Sequence, residues 1–227
     1  MQADPVEVQT LQKKVVYVLR GCSPSEGSTR RGNVMNHHLT GMKVAALVEH
    51  GFEESELLEP RKALEDAGAR VDVISPVEVS VKGWHHGTWG KEVKVDQPLA
   101  DAHPEDYDAL LLPGGVFNPD RLRINERAVQ FVKAFTMSNR PVAAICHGPW
   151  TLIEADALRD RRVTSWPSLK TDLRNAGAIW VDGEVIEDRG LITSRKPDDI
   201  PAFNQKMIEV FADSIRTRGL SSSLSSK

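Results

Sequence analysis

The sequence predicts an α/β domain with a mainly parallel sheet covered by helices on both faces. Two observations carry this. Short β-type apolar runs alternate with helix-period stretches between residues 43 and 216, and strands joined through helices are parallel strands, since those need crossovers. At 227 residues and 40% hydrophobic content the chain can bury the core of one domain, or of two small ones.

Taken in order, residues 1–41 read as an extension, because Gly21 to Ser28 and Arg30 to Asn33 are turn chemistry without apolar periodicity. Lys43–Val48 is the first strand, followed by a helix over Ser55–Ala67 that Gly68 closes as a left-handed cap. Arg70–Ser75 is a strand. Trp84, His85, His86 and Trp89 then fall in a loop before Val93 to Asp96. Ala109–Leu112 is a strand, Asn125–Ser138 a helix, Pro141–Ile145 a strand and Pro149–Ala155 a helix. Arg162–Ser165 reads as a strand and Ser168–Ala176 as a helix ended by Gly177. The stretch Trp180 to Val185 predicts a small β-hairpin about Asp182-Gly183, an embellishment on the main sheet. Leu191–Ser194 and a helix over Asp198–Arg216 complete a domain of residues 42–216, and residues 217–227 form a serine-rich tail expected to be flexible.

Composition excludes several classes. Twenty-nine Lys and Arg against 32 Asp and Glu give a net charge of −3, which is unsuited to a basic nucleic-acid scaffold. Uninterrupted apolar runs, such as Val15–Leu19 and Ala109–Leu112, fall far short of the ~20 residues that span a bilayer. The two cysteines, Cys22 and Cys146, do not make a disulfide framework. Asp4 and Glu7 sit where a secretory signal wants positive charge, so a cytoplasmic protein is expected. His85-His86 lacks a third ligand at metal-binding spacing, and neither a phosphate loop nor a Gly-x-Gly-x-x-Gly stretch is present.

In an open α/β sheet ligands bind at the carboxyl ends of the strands. Three such places hold chemistry. The first is Ala143 to Pro149, where a strand runs through Cys146 and His147 into a helix with Pro149 near its first position. This elbow is expected to expose the sulfur and, through the helix dipole, to favour a thiolate. The second is Pro113-Gly114-Gly115, whose backbone can approach a ligand closely; the N–H groups of Gly115 and His147 are the candidate oxyanion donors. The third is His50 to Glu56, from which Glu53 or Glu56 could reach the sulfur, although acidic residues there also simply complement a helix dipole. No histidine follows Cys146 except its neighbour, which disfavours papain-type and glutamine-amidotransferase catalysis.

Ala144 to Pro149, with Leu112 to Gly115 before it and Gly51 to Glu56 near the start, resembles the PfpI family of intracellular proteases and deglycases within the ThiJ/PfpI superfamily. The resemblance covers about Met42 to Phe211 and includes Thr164 to Pro167, Asn175 to Ala178 and Thr193 to Asp199. It implies a flavodoxin-like three-layer sandwich, shared with class I glutamine amidotransferase domains, and Cys146 as the nucleophile. The family's glutamate beside the thiol falls on Glu53, which must be largely protonated to lie next to a thiolate. His147 matches the histidine of a triad whose acidic member comes from a neighbouring subunit; that position falls on Asp120, with Asp where some members have Glu and a loop one residue longer. Homodimers or hexamers are implied, and no cofactor.

The resemblance leads to an expected glyoxalase or deglycase that acts on methylglyoxal or glycated adducts, with Cys146 adding to the aldehyde and Glu53 shuttling protons. Two alternatives stand beside it. One is a cysteine peptidase using Cys146, His147 and Asp120. The other is a redox-sensing or holdase-type stress protein in which Cys146 is oxidised.

Overall fold

The computed structural model describes residues 38–225, and side chains as far as Thr217. The expected extension, Cys22 included, therefore lies almost wholly outside the described residues. The chain divides into Met1–Val34 and Met35–Lys227, and only the second unit is described here. Packing against the domain is already present before residue 42: Leu39 and Met42 are fully buried, and Leu39 N–H donates to Ala67 C=O at 3.0 Å.

The elements run β1 (Lys43–Leu47), α1 (Glu54–Asp66), β2 (Arg70–Ser75), β3 (Ser80–His85), β4 (Thr88–Lys94), β5 (Gln97–Pro98), β6 (Ala109–Leu112), α2 (Phe117–Arg123), α3 (Glu126–Met137), β7 (Val142–Ile145), α4 (Pro149–Glu154), β8 (Arg162–Val163), α5 (Lys170–Asn175), β9 (Ile179–Trp180), β10 (Val185–Asp188), β11 (Leu191–Ser194) and α6 (Ile200–Ser225). The main sheet has the order β10-β11-β7-β6-β1-β2-β5 and is parallel except at β10. This is the flavodoxin-like sandwich. One apolar layer gathers Val44, Ala46, Leu57, Leu64, Phe203, Met207 and Phe211 beneath α1 and α6; the other gathers Leu110, Leu112, Phe131, Phe135, Leu152 and Leu173 beneath α3, α4 and α5. Alternate residues of β1 and β6 point into opposite layers, so each strand is buried on both faces.

Several local expectations change. The hairpin is not at Asp182-Gly183: β9 pairs with β8 in parallel, as a separate two-stranded sheet, and the turn on the main sheet is Arg189-Gly190 between β10 and β11. Both turn residues have positive φ, 52° and 82°, the twist that suits a two-residue hairpin. His86-Gly87, with φ of 46° and 83°, makes a second such hairpin, so Trp84 and Trp89 are cross-strand partners of β3 and β4 rather than loop residues. The expected strand Arg162–Ser165 stops at Val163 because the chain turns towards the site: Thr164 N–H donates to Thr193 Oγ1 at 2.9 Å and Trp166 N–H to Cys146 C=O at 3.0 Å. Helix α2 went unpredicted because its Asn118-Pro119-Asp120 reads as turn chemistry. Helix α6 continues through Ser225 into the expected tail, with no proline after Arg216 to halt it. Among the described residues no helix is long and apolar enough to cross a membrane.

Candidate active site

Strands β1, β6 and β7 lie side by side, so the loops after their carboxyl ends meet. Cys146 follows β7 at φ 61°, a left-handed conformation uncommon for a side chain larger than glycine. Three backbone hydrogen bonds hold it there: its N–H donates to Ser194 C=O at 3.0 Å, its C=O accepts from Trp166 N–H at 3.0 Å, and Gly148 N–H closes the turn on Ile145 C=O at 2.8 Å. Strain of this kind survives only where its surroundings enforce it.

The elbow does not expose the sulfur. Cys146 is 7% exposed, and burial pushes its thiol well above the ordinary range, helped by the neighbouring Glu56 carboxyl and opposed by the N–H groups of Gly115 and His147. The helix dipole expected to favour a thiolate is overridden: α4 has only six residues, while desolvation acts on the whole charge. Forming the thiolate therefore takes a base in contact with the sulfur. Both predicted donors, Gly115 N–H and His147 N–H, do converge on the sulfur.

The carboxyl group beside the thiol belongs to Glu56, not Glu53. Glu53 stands in extended conformation before α1, and its carboxyl takes a 3.5 Å hydrogen bond from Ser55 Oγ near His85 and His86. Glu56, three residues on, is inside the first turn and shares the buried face of α1 with Leu57, Pro60 and Leu64. Its Oε2 accepts Gly114 N–H at 2.8 Å, and its side chain reaches the Cys146 thiol. The other oxygen, Oε1, is buried without a conventional donor. Burial raises the Glu56 carboxyl to about 8, the Glu53 charge adding to the effect, so the group is largely protonated at neutral pH. Helical spacing back from Leu64 through Pro60 was the signal that could have selected Glu56.

The glycine turn is pinned by a residue that sequence reasoning missed. Asn118 of α2 is fully buried and donates through Nδ2 to Pro113 C=O at 2.8 Å and Gly114 C=O at 3.0 Å, while its Oδ1 accepts Glu49 N–H at 2.7 Å. It ties the ends of β1 and β6 together. Asn118→Ala removes all three bonds and leaves Gly114 C=O with only the 3.4 Å bond from Glu53 N–H, and a loss of about 2 kcal/mol in denaturant unfolding is expected, with turnover falling because the glycine turn is no longer pinned.

His147 places Nδ1 3.3 Å from Cys146 Sγ and Nε2 3.5 Å from Ser168 Oγ. Its ring stacks on Trp166 at 6.1 Å and meets Trp150 edge-on at 5.3 Å. Burial lowers it to about 4, so it is neutral at pH 7. Asp120 lies on the exposed side of α2 and makes no contact with His147 within the chain. Among the described residues no group of three or more His, Cys, Asp or Glu side chains could hold a metal ion.

Known proteins carry the same framework. General stress protein 18 of Bacillus subtilis is 47% identical over 170 residues, 74% of this chain and 96% of that one. A second Bacillus subtilis protein, named "Putative cysteine protease YraA", is 42% identical over 171 residues, 74% of this chain and 97% of its own length. Among solved structures, DJ-1beta of Drosophila melanogaster aligns with a TM-score of 0.69 at 26% identity, covering 79% of this chain and 97% of that one. A two-domain Anabaena variabilis protein with DJ-1/ThiJ/PfpI-like and ferritin-like domains aligns at 0.70 and 34% identity over 74% of this chain, which spans 49% of its length. The family model described as DJ-1/PfpI matches residues 42–210, a span that holds the elbow, the glycine turn and Glu56, and the chain belongs to that family.

Proposed function

We propose that this protein is a cofactor-independent glyoxalase or deglycase that acts on methylglyoxal or on aldehyde adducts of amines, with Cys146 as nucleophile and Glu56 as proton shuttle. One observation carries the reading: a buried carboxyl, protonated at neutral pH, lies against the thiol beneath two converging N–H groups. A peptidase has no need of that carboxylic acid. Aldehyde chemistry does, because protons must be both given and taken at adjacent carbons.

As sulfur adds to the aldehyde carbon, its proton passes to His147 Nδ1, and the carbonyl oxygen takes the Glu56 proton while Gly115 and His147 N–H stabilise the charge that develops. The Glu56 carboxylate then removes the hydrogen from that carbon, the electron pair moves to the neighbouring ketone, and the ketone oxygen takes the proton held by His147; Glu56 next protonates the former ketone carbon, and the hydroxyl on the sulfur-bearing carbon returns its proton to Glu56 as it becomes the thioester carbonyl. The product is a thioester of lactate on Cys146. Water cleaves it and the thiol is restored, so methylglyoxal plus water gives lactic acid without an oxidant. The purified protein is expected to form lactate from methylglyoxal, and Cys146→Ala to reduce it to background. Lactate formation that survives Cys146→Ala would overturn the assignment.

A peptidase reading has its own support in the 3.3 Å contact between Cys146 and His147 and in the name of one relative. It requires Asp120 from a second copy, since no hydrogen bond joins Asp120 to His147 within its own chain, and so goes with a homodimer or hexamer. A fluorogenic peptide panel, run on the assembled protein beside the lactate assay, separates the two. The name of General stress protein 18 supports a role in stress defence. The oxidation-sensor reading loses ground because the thiol is buried rather than exposed.

A further inference from the structure

Among the described residues, His147 and Glu56 are the side chains in contact with the sulfur that can take its proton. A neutral imidazole has one nitrogen that donates and one that accepts, and what its far nitrogen meets decides which faces the thiol. Among the described residues no carboxylate pairs with His147; burial alone accounts for its lowered basicity. What its far nitrogen meets is a hydroxyl, Ser168 Oγ at 3.5 Å from Nε2.

Ser168 is not there by chance of a loose loop. Trp166 N–H is hydrogen-bonded to the C=O of Cys146 itself at 3.0 Å, and the Trp166 ring lies on the imidazole at an interplanar angle of 24°. Pro167–Leu169 then forms a single 3₁₀ turn, closed by Leu169 N–H on Trp166 C=O at 3.1 Å, and Leu169 is fully buried. The segment carrying the hydroxyl is thus registered to the nucleophile's backbone at one end and to the core at the other. Apart from Ser168, the ring is flanked by the indoles of Trp150 and Trp166, which offer it no acceptor.

We infer that Ser168 is the positioning residue of His147: its hydroxyl oxygen accepts the Nε2–H, holds the imidazole as that tautomer, and leaves the Nδ1 lone pair facing the Cys146 S–H. The inference rests on the reading of Cys146 as nucleophile and His147 as its base, and makes that pair complete within one chain. The transfer is a single proton, from sulfur to Nδ1, as the sulfur attacks. The imidazolium that results keeps both N–H groups directed at partners, Nδ1–H at the Cys146 sulfur and Nε2–H at Ser168 Oγ. The 3.5 Å separation suits a resting site that tightens when substrate is bound.

The test is ¹⁵N NMR of the His147 ring in the full chain, compared among wild type, Ser168→Ala and Ser168→Thr, beside the pH dependence of Cys146 alkylation by iodoacetamide. Expected is an Nε2–H ring in the wild type and a mixture of tautomers in Ser168→Ala. Alkylation at pH 7 should slow by roughly five-fold in that variant, the worth of one neutral hydrogen bond, and Ser168→Thr should restore both. An Nδ1–H ring in the wild type, or a tautomer and alkylation profile unmoved by Ser168→Ala, overturns the proposal. So does a ring that responds to Asp120→Asn and not to Ser168→Ala, which would assign the partner to a second copy. Absence of lactate formation together with the expected tautomers would instead count against the glyoxalase reading alone.

Discussion

Glu56→Gln is expected to abolish turnover while making the folded protein more stable at neutral pH. Gln keeps the shape and can still accept Gly114 N–H, but it carries no proton that can be exchanged, and loss of a general acid–base group costs on the order of 10²- to 10⁴-fold. The stability effect follows from linkage. The Glu56 carboxyl is raised from 4.5 to about 8 in the folded chain, so between those values the native state holds a proton that the unfolded state has released. Its contribution is fully present below pH 4.5 and is lost as pH rises through about 8. At pH 7 the cost is about 3 kcal/mol, which Gln does not incur. His147 acts in the opposite sense: lowered from 6.5 to about 4, it is kept neutral on folding, and its contribution is present above 6.5 and lost as pH falls through about 4. The two slopes oppose each other in the acid range and leave Glu56 alone above pH 6.5. Denaturant unfolding at pH 5, 7 and 8 should show the wild type losing stability across the upper interval and Glu56→Gln flat there. Equal slopes in the two proteins would mean that Glu56 is ionised in the native state.

The second large effect belongs to Gly115→Ala. Gly115 sits at φ 78°, and a methyl group there would collide with Gly51 C=O and stand 2.7 Å from Glu53 N and 3.0 Å from Phe52 C, all of them backbone. Relief requires the ends of β1 and β6 to separate, which also withdraws the Gly115 N–H from the sulfur. Gly87 provides the control: its φ is 83°, but nothing lies within 4 Å of the added carbon. Gly87→Ala should cost only the left-handed backbone strain, about 1–2 kcal/mol. Gly115→Ala should exceed that by several kcal/mol or prevent folding, and any folded fraction should turn over at least ~10²-fold more slowly. Equal melting temperatures for the two variants would show that the β1–α1 and β6–α2 loops are not packed as described.

Much of this was legible before the structure. Strands with unbroken apolar runs, such as Ala109–Leu112, and helices closed by Gly68 and Gly177 announce themselves through local chemistry, and both glycines do adopt positive φ, 98° and 87°. The Cys-His-Gly-Pro elbow and the Pro-Gly-Gly turn are contiguous in sequence, so their residues could be named together, and the N–H groups of Gly115 and His147 do converge on the sulfur. What failed was any statement about which way a side chain faces or what it meets across the fold. Glu53 and Glu56 are both acids at a helix start, and only the packing of Leu57 and Leu64 against the sheet turns Glu56 inwards. Local rules placed a hairpin at Asp182-Gly183 because a turn-forming pair is visible there, whereas the pairing of Val163 with Trp180 joins residues from two separate segments of the chain.

By itself, then, the sequence determined the alternation of elements and singled out Cys146, His147 and Gly115 as one candidate site, because each feature is written in neighbouring residues. Tertiary structure alone decided that the sulfur is buried, that Glu56 is the acid against it, that Asn118 pins the glycine turn and that His147 meets Ser168 and not Asp120 within the chain. Ionisation and proton transfer depend on desolvation and on distances between groups far apart along the chain, and those exist only once the three loops are brought together at the ends of β1, β6 and β7.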